Sequence, residues 1–489
     1  MQSASYRHIF KYTGLLGSVQ VLGVVVAVVR NKLTAVLVGS AGMGLADFYS
    51  RAVELLSGAA GMGLGLSGTR ALSALYAEGR LRAVRHYACL LRTLSVWAAL
   101  FGALITVALA PLLSSLTTGG YGLTAGYALL APSVAATVLT AGETAVLKGL
   151  QRLRSLAAAA AAYIAATLLI TAPLYWWLGM KGVVPVVTGL TVVTFLINLR
   201  LASRACPYRI APLRRAFLRQ GLPLVRLGAA YVAAAVMNSG AEIAVRAVLM
   251  RADGSLATVG LYAAGLTLVV SYVRIVFTAM DADFFPRLSA VVRQPELMNS
   301  TVNRQIDVLV VLTAPFLIVF ALALPLVVRV VYTEEFMAVV PMVLCAAAFM
   351  YFKALFTPVG YLALAVGDGL LFMGMELAYD LLFLLLVAGG AWWGGLAGAG
   401  AGLTLSGALN LVLLCGVYAR RYGFRFGAAT LRRSGFLLLC LAGGLFAASC
   451  HDLFVRFGLG GALALLSAWP AWRLLRGEVR AKGPRERRE

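Results

Sequence analysis

Long apolar runs, many of them 18 residues or more, alternate with short polar or Gly/Pro-rich joints along the whole chain. A helix needs about 20 predominantly apolar residues to cross the hydrocarbon core of a bilayer. A hydropathy window over this pattern predicts about fourteen spans. The first two are expected at roughly residues 10–30 and 33–66, with a joint at Arg30–Lys32. The pattern therefore predicts an all-α polytopic membrane protein.

Composition agrees with this prediction. Of the 489 residues, 61% are hydrophobic and only 12% are charged, and the mean hydropathy is +0.89. The six cysteines show no CxxC spacing, and most lie in apolar segments, where Cys behaves as a small hydrophobic residue. The sequence therefore predicts neither a disulfide framework nor a metal site, and no cofactor is expected.

The distribution of positive charge predicts the orientation in the membrane. If the N-terminus is cytoplasmic, the N-terminal end, the inner joints and the C-terminal tail carry 29 Lys and Arg residues and the outer joints carry 5. Cytoplasmic loops are enriched in Lys and Arg, so both termini are expected in the cytoplasm. The net charge of +23 is thereby explained as a topology signal, and a nucleic-acid partner is not expected.

A weak internal repeat predicts the domain organisation. RNKLTAVLVG (30–39) and RADGSLATVG (251–260) both follow an outer span end, six spans apart. This placement favours two parallel six-helix lobes around a central cavity, followed by two extra helices. The predicted domains are an N-lobe, a basic cytoplasmic linker, a C-lobe, and two C-terminal helices with a basic tail. Their limits are 1–203, 204–221, 222–433 and 434–489.

Charged residues inside the predicted spans are the main candidates for function, because a charge at the bilayer centre costs at least about 2.5–3.5 kcal/mol. The deep basic residues are Arg51, Arg246, Arg274 and Lys353. Two of them have acidic neighbours at helical spacing: Glu54 lies three residues after Arg51, and Glu242 lies four residues before Arg246. Each of these pairs is either a structural ion pair or part of a functional site.

The sequence also predicts roles for the other charged residues of the spans. Arg92, Arg200, Arg226 and Arg329 lie near span ends, from which a long side chain can reach the headgroups. No local acidic partner accompanies Arg274 or Lys353. We therefore expect these two residues to face a water-filled cavity or a substrate, with three acidic residues as candidate partners or ion-coupling groups: Glu143, Glu376 and Asp380.

Two motif matches do not indicate enzymes. The GxGxxG match at Gly63–Gly68 has no preceding strand, so close packing of helices is the better interpretation. The acidic pair Asp281 and Asp283 ends a span with no adjoining soluble domain, so a pair of charges at a helix end is favoured over sugar-nucleotide chemistry. A functional role of this pair stays open.

Several stretches resemble a known family. NKLTAVLVGSAGMGL (31–45), KALFTPVGYLALAVGDGLLF (353–372), PRLS (286–289) and LAGAGAGLTLSGALNLVLLCGVYARRYGFRF (396–426) are similar to O-antigen translocases and to the lipid III flippase of enterobacterial common antigen synthesis. These proteins belong to the multidrug, oligosaccharidyl-lipid and polysaccharide exporter superfamily. The resemblance implies two six-helix lobes around a central cavity and location in the inner membrane.

The resemblance also implies a substrate, undecaprenyl-pyrophosphate carrying a short sugar unit, and a polysaccharide polymerase as a further partner. In the family, basic residues of the cavity helices face the pyrophosphate. By local motif the resemblance assigns this role to Arg30, Lys32 and Lys353, and approximately to Arg51. Arg246 and Arg274 are expected to share it because of their depth in the predicted spans. Arg30 and Lys32, at the outer rim, would complete an electropositive path, with anchoring to lipid headgroups as the alternative. Alternating access would carry the glycan outward.

Two other functions remain open on the sequence. A drug or cation exporter of the same fold would need a dominant acidic cavity, to which Glu242 could contribute. A polytopic sugar polymerase or ligase would need a large external loop with catalytic residues, and the outer joints are short. A flippase without enzymatic activity is the favoured interpretation.

Overall fold

A computed structural model of the chain describes residues 2–211, 232, 236–271, 277, 284–450 and 452–470, with side chains from residue 22 onward except at residue 271. All regular structure in this described part is helical, which confirms the all-α prediction. In chain order the helices are α1 (Gln2–Ala60), α2 (Leu64–Ala77), α3 (Leu81–Thr118), α4 (Thr124–Ala128), α5 (Ala131–Gly149), α6 (Leu153–Leu178), α7 (Val183–Ala205), α8 (236–253), α9 (Leu256–Leu266), α10 (284–291), α11 (Pro295–Val331), α12 (Val340–Val366), α13 (Gly369–Tyr422), α14 (Ala428–Ser449) and α15 (460–470).

Eight helical segments of the described residues are long and apolar enough to cross a membrane, so the chain is a multi-pass membrane protein. The longest is α13, whose 54 residues would extend about 81 Å at the α-helical rise. This length exceeds one bilayer, and the backbone of α13 leaves the helical conformation at Gly394 and Gly395. Since one segment can contain two crossings, the count of fourteen spans stays a prediction.

The first break of the backbone lies at Gly39. Helix α1 continues through Arg30, Asn31 and Lys32, where the sequence analysis placed a joint, and that prediction is wrong. Non-helical dihedral angles occur instead at Gly39, with φ 65° and ψ −171°. Glycine adopts this backbone conformation at little steric cost because it has no Cβ. Arg30 and Lys32, in contrast, lie in continuous helix. The two cations therefore lie about two turns inside the first part of α1.

The chain forms two compact units. The first comprises Met1–Gly260 with Val331–Thr333, and the second comprises Leu261–Val330 with Glu334–Glu489. Helix α8 thus lies in the first unit. The limits of the two predicted lobes and of the linker stay a prediction, and residues 212–221 of the linker lie outside the described residues.

Close packing of small residues shapes the first unit. A Cβ at Gly68 would lie 2.7 Å from Cδ2 of Leu91, so α2 and α3 touch where the GxGxxG match occurs. Leu72, Leu91 and Val146 are fully buried in the core that α2, α3 and α5 share. This packing agrees with the interpretation of the motif as a helix contact.

The two C-terminal helices are packed into the second unit. Tyr351 of α12 donates its hydroxyl hydrogen to the Ser434 carbonyl oxygen of α14 at 2.7 Å. A Cβ at Gly444 of α14 would lie 2.8 Å from Cγ2 of Ile318, so α14 also lies directly against α11. Arg456, just before α15, donates to the carbonyl oxygen of Leu322 in α11 at 2.9 Å.

Candidate functional site

Five charged residues of the first unit form what we call the α1–α8 charge cluster: Asp47, Arg51 and Glu54 on α1, and Glu242 and Arg246 on α8. Intervals of three and four residues place the members of each helix on one face. The ion pairs predicted from spacing, Arg51 with Glu54 and Glu242 with Arg246, are both formed.

Arg246 is the centre of this cluster. Its side chain is 1% exposed, and its Nε donates to Oδ2 of Asp47. Its Nη1 donates to Oε2 of Glu242 at 2.6 Å and to the carbonyl oxygen of the same residue at 2.8 Å. A guanidinium withdrawn from water needs such charged acceptors to offset the cost of desolvation. Arg246 is therefore held between α1 and α8.

Arg51 lies at the more open side of the cluster, with 33% of its side chain exposed. Its Nη1 donates to Oε2 of Glu54 at 2.8 Å. Its Nε lies 3.8 Å from Oδ1 of Asp47 and 3.9 Å from Oε2 of Glu242. Three carboxylates thus surround two guanidinium groups, so the cluster as a whole carries no net positive charge.

Arg30 and Lys32 lie in the first part of α1, both half-buried. Arg30 donates from Nη2 to Oδ1 of Asn31 at 3.1 Å. Lys32 donates from Nζ to the carbonyl oxygen of Tyr332, which belongs to the same compact unit. The acceptors of these two hydrogen bonds are uncharged oxygens.

Lys353 lies in the second unit, half-buried on α12, with Nζ 6.0 Å from the centre of the Phe349 ring. Glu376 of α13 interacts electrostatically with Lys353 and with Asp380, which is 6% exposed. One of the three acidic residues that the sequence offered as partners, Glu376, thus lies near this lysine, and Asp380 lies near Glu376.

Several residues named in the sequence analysis lie outside the described residues: Arg226, Arg274, Asp281 and Asp283. In the part of the chain that is described, no group of three His, Cys, Asp or Glu side chains could hold a metal ion.

A second buried ion pair joins α3 to α5, and the sequence analysis assigned both of its members differently. Arg92 was expected to extend to the headgroups, but it is 1% exposed and binds Glu143 through Nε at 2.8 Å and Nη2 at 2.7 Å. Its Nη1 also donates to the carbonyl oxygens of Cys206 and Pro207, at 3.1 and 2.9 Å. Arg92 therefore fixes the chain that leaves α7.

Tyr208 completes this arrangement outside the spans. The centre of its ring lies 4.8 Å from the guanidinium carbon of Arg92, a favourable cation–π geometry. Burial, together with the nearby Glu143 carboxylate, raises the pKa of the Tyr208 hydroxyl, so this group is neutral at physiological pH.

Asp47 is the member of the α1–α8 charge cluster that the sequence analysis missed. It lies four residues before Arg51, at the same helical spacing that drew attention to Glu54. That spacing could have identified Asp47 as a neighbour of Arg51. Its contact with Arg246, 199 residues away, is visible only in the structure.

The fold is similar to that of solved transporters. The lipid II flippase MurJ in an inward closed conformation superposes with a TM-score of 0.66 at 14% identity, over 94% of this chain and 99% of that one. An inward-facing multidrug resistance MATE family transporter of the MOP superfamily gives 0.63 at 15% identity, over 83% of this chain and 94% of that one.

A MOP superfamily transporter from Pyrococcus furiosus, described as having a binding pocket of reverse polarity that suggests a different function, gives a TM-score of 0.58 at 15% identity. It is matched over 84% of this chain and 93% of that one. At these identities the likeness shows the fold, which is that of MOP superfamily transporters.

No curated protein matches the chain. The family described as "Polysaccharide biosynthesis protein" matches residues 82–341, which is more than half of the chain. The chain therefore belongs to this polysaccharide biosynthesis protein family.

Proposed function

We propose that the protein is a flippase that moves undecaprenyl-pyrophosphate-linked oligosaccharide units, of the O-antigen or a related surface polysaccharide, from the cytoplasmic to the periplasmic leaflet of the inner membrane. The observation that carries this proposal is the match to a polysaccharide biosynthesis family in a chain with a transporter fold. Polysaccharide assembly across a membrane needs the lipid-linked sugar to change sides. A transporter fold suits that step and needs no catalytic group.

Arg30 is the residue best suited to meet the pyrophosphate. A diphosphodiester carries about two negative charges, and its passage through hydrocarbon is prohibitive unless fixed cations replace water. Arg30 projects from an apolar helix, is half-buried, and donates to a neutral amide. Its planar fork can bind two phosphate oxygens at once. Lys32, two residues on, adds a second cation to the same part of α1.

We propose different roles for the other predicted cations. Lys353 and Arg274 are proposed as contacts of the glycan pyrophosphate at other stages of transport. Arg51 and Arg246 are proposed to act with Asp47 and Glu242, because their charge is already offset within the α1–α8 charge cluster. Glu54 and Glu242 are proposed as ion-pair partners, with ion coupling as the alternative role of Glu242.

The charge of the joints supports the orientation of the chain, and the charge of the substrate supports the direction of transport. The excess of Lys and Arg in alternate joints supports a cytoplasmic location of both termini. Moving about two negative charges outward across an inside-negative membrane is favourable by roughly 4–5 kcal/mol per 100 mV. The membrane potential can therefore drive export by alternating access.

Two measurements test the proposal. Depletion of the protein is expected to leave an undecaprenyl-pyrophosphate-linked oligosaccharide accessible only from the cytoplasmic face of the inner membrane. Purified protein in vesicles is expected to move the same lipid between leaflets, and empty vesicles are the control. Accumulation of sugar polymer precursors on the periplasmic face would instead indicate a later step, such as polymerisation.

A drug or cation exporter is the second candidate, and one observation favours it. Three carboxylates surround the two guanidinium groups of the α1–α8 charge cluster, as expected if a cationic substrate bound nearby. Cells that overproduce the protein would then become resistant to cationic drugs. Unchanged sensitivity together with flipping of the lipid-linked sugar would exclude this candidate.

A further inference from the structure

Helix α8 is attached to the first compact unit, although the sequence analysis placed residues 222–433 in the C-terminal lobe. The α1–α8 charge cluster makes the first attachment. Next to it, the backbones of α1 and α9 touch, because a Cβ at Gly44 would overlap the carbonyl oxygen of Leu256. At the end of α8, Arg251 donates to the carbonyl oxygen of Leu116 in the last turn of α3 at 3.3 Å.

The chemistry of these contacts makes them separable. The exposed fractions of Asp47, Glu242 and Arg51 are 17%, 22% and 33%, so water reaches these three groups and can solvate them when their ion pairs break. At Gly44 the nearest atoms of α9 belong to its backbone, so two backbones meet there. Of the five residues, Arg246 is the one withdrawn from water, and its bond to Asp47 links α8 to α1.

The two helices joined by the ion pair between Asp47 and Arg246, α1 and α8, each have a break in the backbone nearby. In α1 the break is at Gly39, eight residues before Asp47, and between α8 and α9 it is at Gly254, eight residues after Arg246. Both glycines have positive φ, 65° and 69°, and so lie where the chain leaves the helical path. A few such positions can absorb the rotation when one helix moves relative to another.

We propose that Asp47 is a positioning residue: its ion pair with Arg246 holds α8 on α1 in this conformation and breaks when α8 separates from α1 during transport. The inference rests on the proposed function, because alternating access requires at least two arrangements of the helices. Asp47 stabilises the one described here. Its removal therefore shifts the population toward the separated arrangement.

The test measures the distance between α1 and α8 directly. Spin labels are placed at Ser50→Cys and Met237→Cys, both exposed, in a variant whose six native cysteines are replaced. Asp47→Asn is expected to raise the population at longer distance about tenfold, less than for a fully unpaired buried charge, because Arg246 keeps its bond to Glu242. Asp47→Glu, which keeps the carboxylate, is expected to restore the shorter distance.

Glu54→Gln is the matched control, because it breaks an ion pair that lies within α1 and does not reach α8 through Arg246. Its distance distribution is expected to equal that of the unsubstituted protein. A distribution in Asp47→Asn that is indistinguishable from that of Glu54→Gln would overturn the proposal.

A second measurement is independent of the Asp47 variants. A cleavable thiol cross-linker, with a length matched to the shorter spin-label distance between positions 50 and 237, is expected to abolish flipping of lipid-linked oligosaccharide, and reduction is expected to restore it. Flipping at the full rate while cross-linked would show that α8 does not separate from α1. If the protein without the cross-link moves no such lipid, the proposed function fails, and the spin-label distances still decide the role of Asp47.

Discussion

Arg92 and Glu143 form a bidentate ion pair that is almost completely withdrawn from water, with both carboxylate oxygens of Glu143 bound by the guanidinium group. The pair joins α3 to α5, and the remaining donor of Arg92 holds the backbone after α7. Three elements of the first unit thus depend on one side chain. Its role is structural, and its loss should cost more stability than the loss of an exposed ion pair.

We expect Glu143→Gln to lower the free energy of unfolding by about 3–5 kcal/mol, because it leaves the Arg92 charge buried without its counter-ion. Thermal unfolding of the purified protein in detergent measures the change. Glu78→Gln, which breaks the exposed pair with Arg80, is the control and should change stability by less than about 1 kcal/mol. Equal melting temperatures for Glu143→Gln and Glu78→Gln would contradict a structural role of the buried pair.

Gly44 should not tolerate a side chain. A Cβ at this position overlaps the Leu256 carbonyl oxygen of α9, and backbone cannot move aside as a flexible side chain can. We expect Gly44→Ala to destabilise the protein by about 1–3 kcal/mol. Gly58→Ala is the control on the same helix, since no atom lies within 4 Å of its added Cβ, and it should be neutral or stabilising. Comparable melting temperatures of the two variants would show that α1 and α9 are not in contact.

The fold class was predictable because it depends on composition and on the length of apolar runs, which a sequence displays directly. The ion pairs Arg51–Glu54 and Glu242–Arg246 were predictable for a similar reason, since helical spacing alone brings their members together. The break at Gly39 was not, because a charged pair at residues 30–32 was a stronger signal of a span end than one glycine among many.

Contacts between helices account for what the sequence did not show. Glu143 lies 51 residues from Arg92, and Asp47 lies 199 residues from Arg246, so no spacing rule relates them. The position of Arg92 near a span end favoured an extended side chain, and only the packing of α3 against α5 shows that it turns inward. The roles of the predicted cations in binding remain predictions for the same reason.

Cysteine labelling tests the orientation in the membrane. Arg209 and Arg425 are both exposed, and Asn299 and Asn303 hold the backbone of the loop that carries Arg425. Because the joints containing these residues are rich in arginine, we expect Arg209→Cys and Arg425→Cys to react with an impermeant thiol reagent only after the inner membrane is permeabilised. Lys181→Cys, in an exposed turn on the opposite side, should react in intact spheroplasts. Labelling of residue 209 or 425 in intact spheroplasts would refute the orientation.

The Glu242→Gln variant distinguishes a role of Glu242 in ion pairing from a role in coupling transport to an ion gradient. Arg246 keeps its bond to Asp47 in this variant, so we expect the flipping rate to stay within about threefold of the original, as for a partly exposed ion pair. Vesicles with and without an imposed proton or sodium gradient provide the measurement. A rate that no longer responds to the gradient, where the original protein does respond, would identify Glu242 as a coupling residue.

Arg30 should contribute more to flipping than Arg51, because the described partner of Arg30 is a neutral amide whereas Arg51 is surrounded by Asp47, Glu54 and Glu242. A hydrogen bond to a charged group contributes about 1.5–3 kcal/mol, so we expect Arg30→Ala to lower the flipping rate about tenfold or more. Arg30→Lys should be intermediate, since it keeps the charge and loses the planar fork. The assay is movement of a lipid-linked oligosaccharide in vesicles at matched protein levels, with Arg51→Ala in parallel. If Arg30 only anchors α1 to headgroups, Arg30→Ala will instead reduce the amount of protein in the membrane and leave the rate per molecule unchanged.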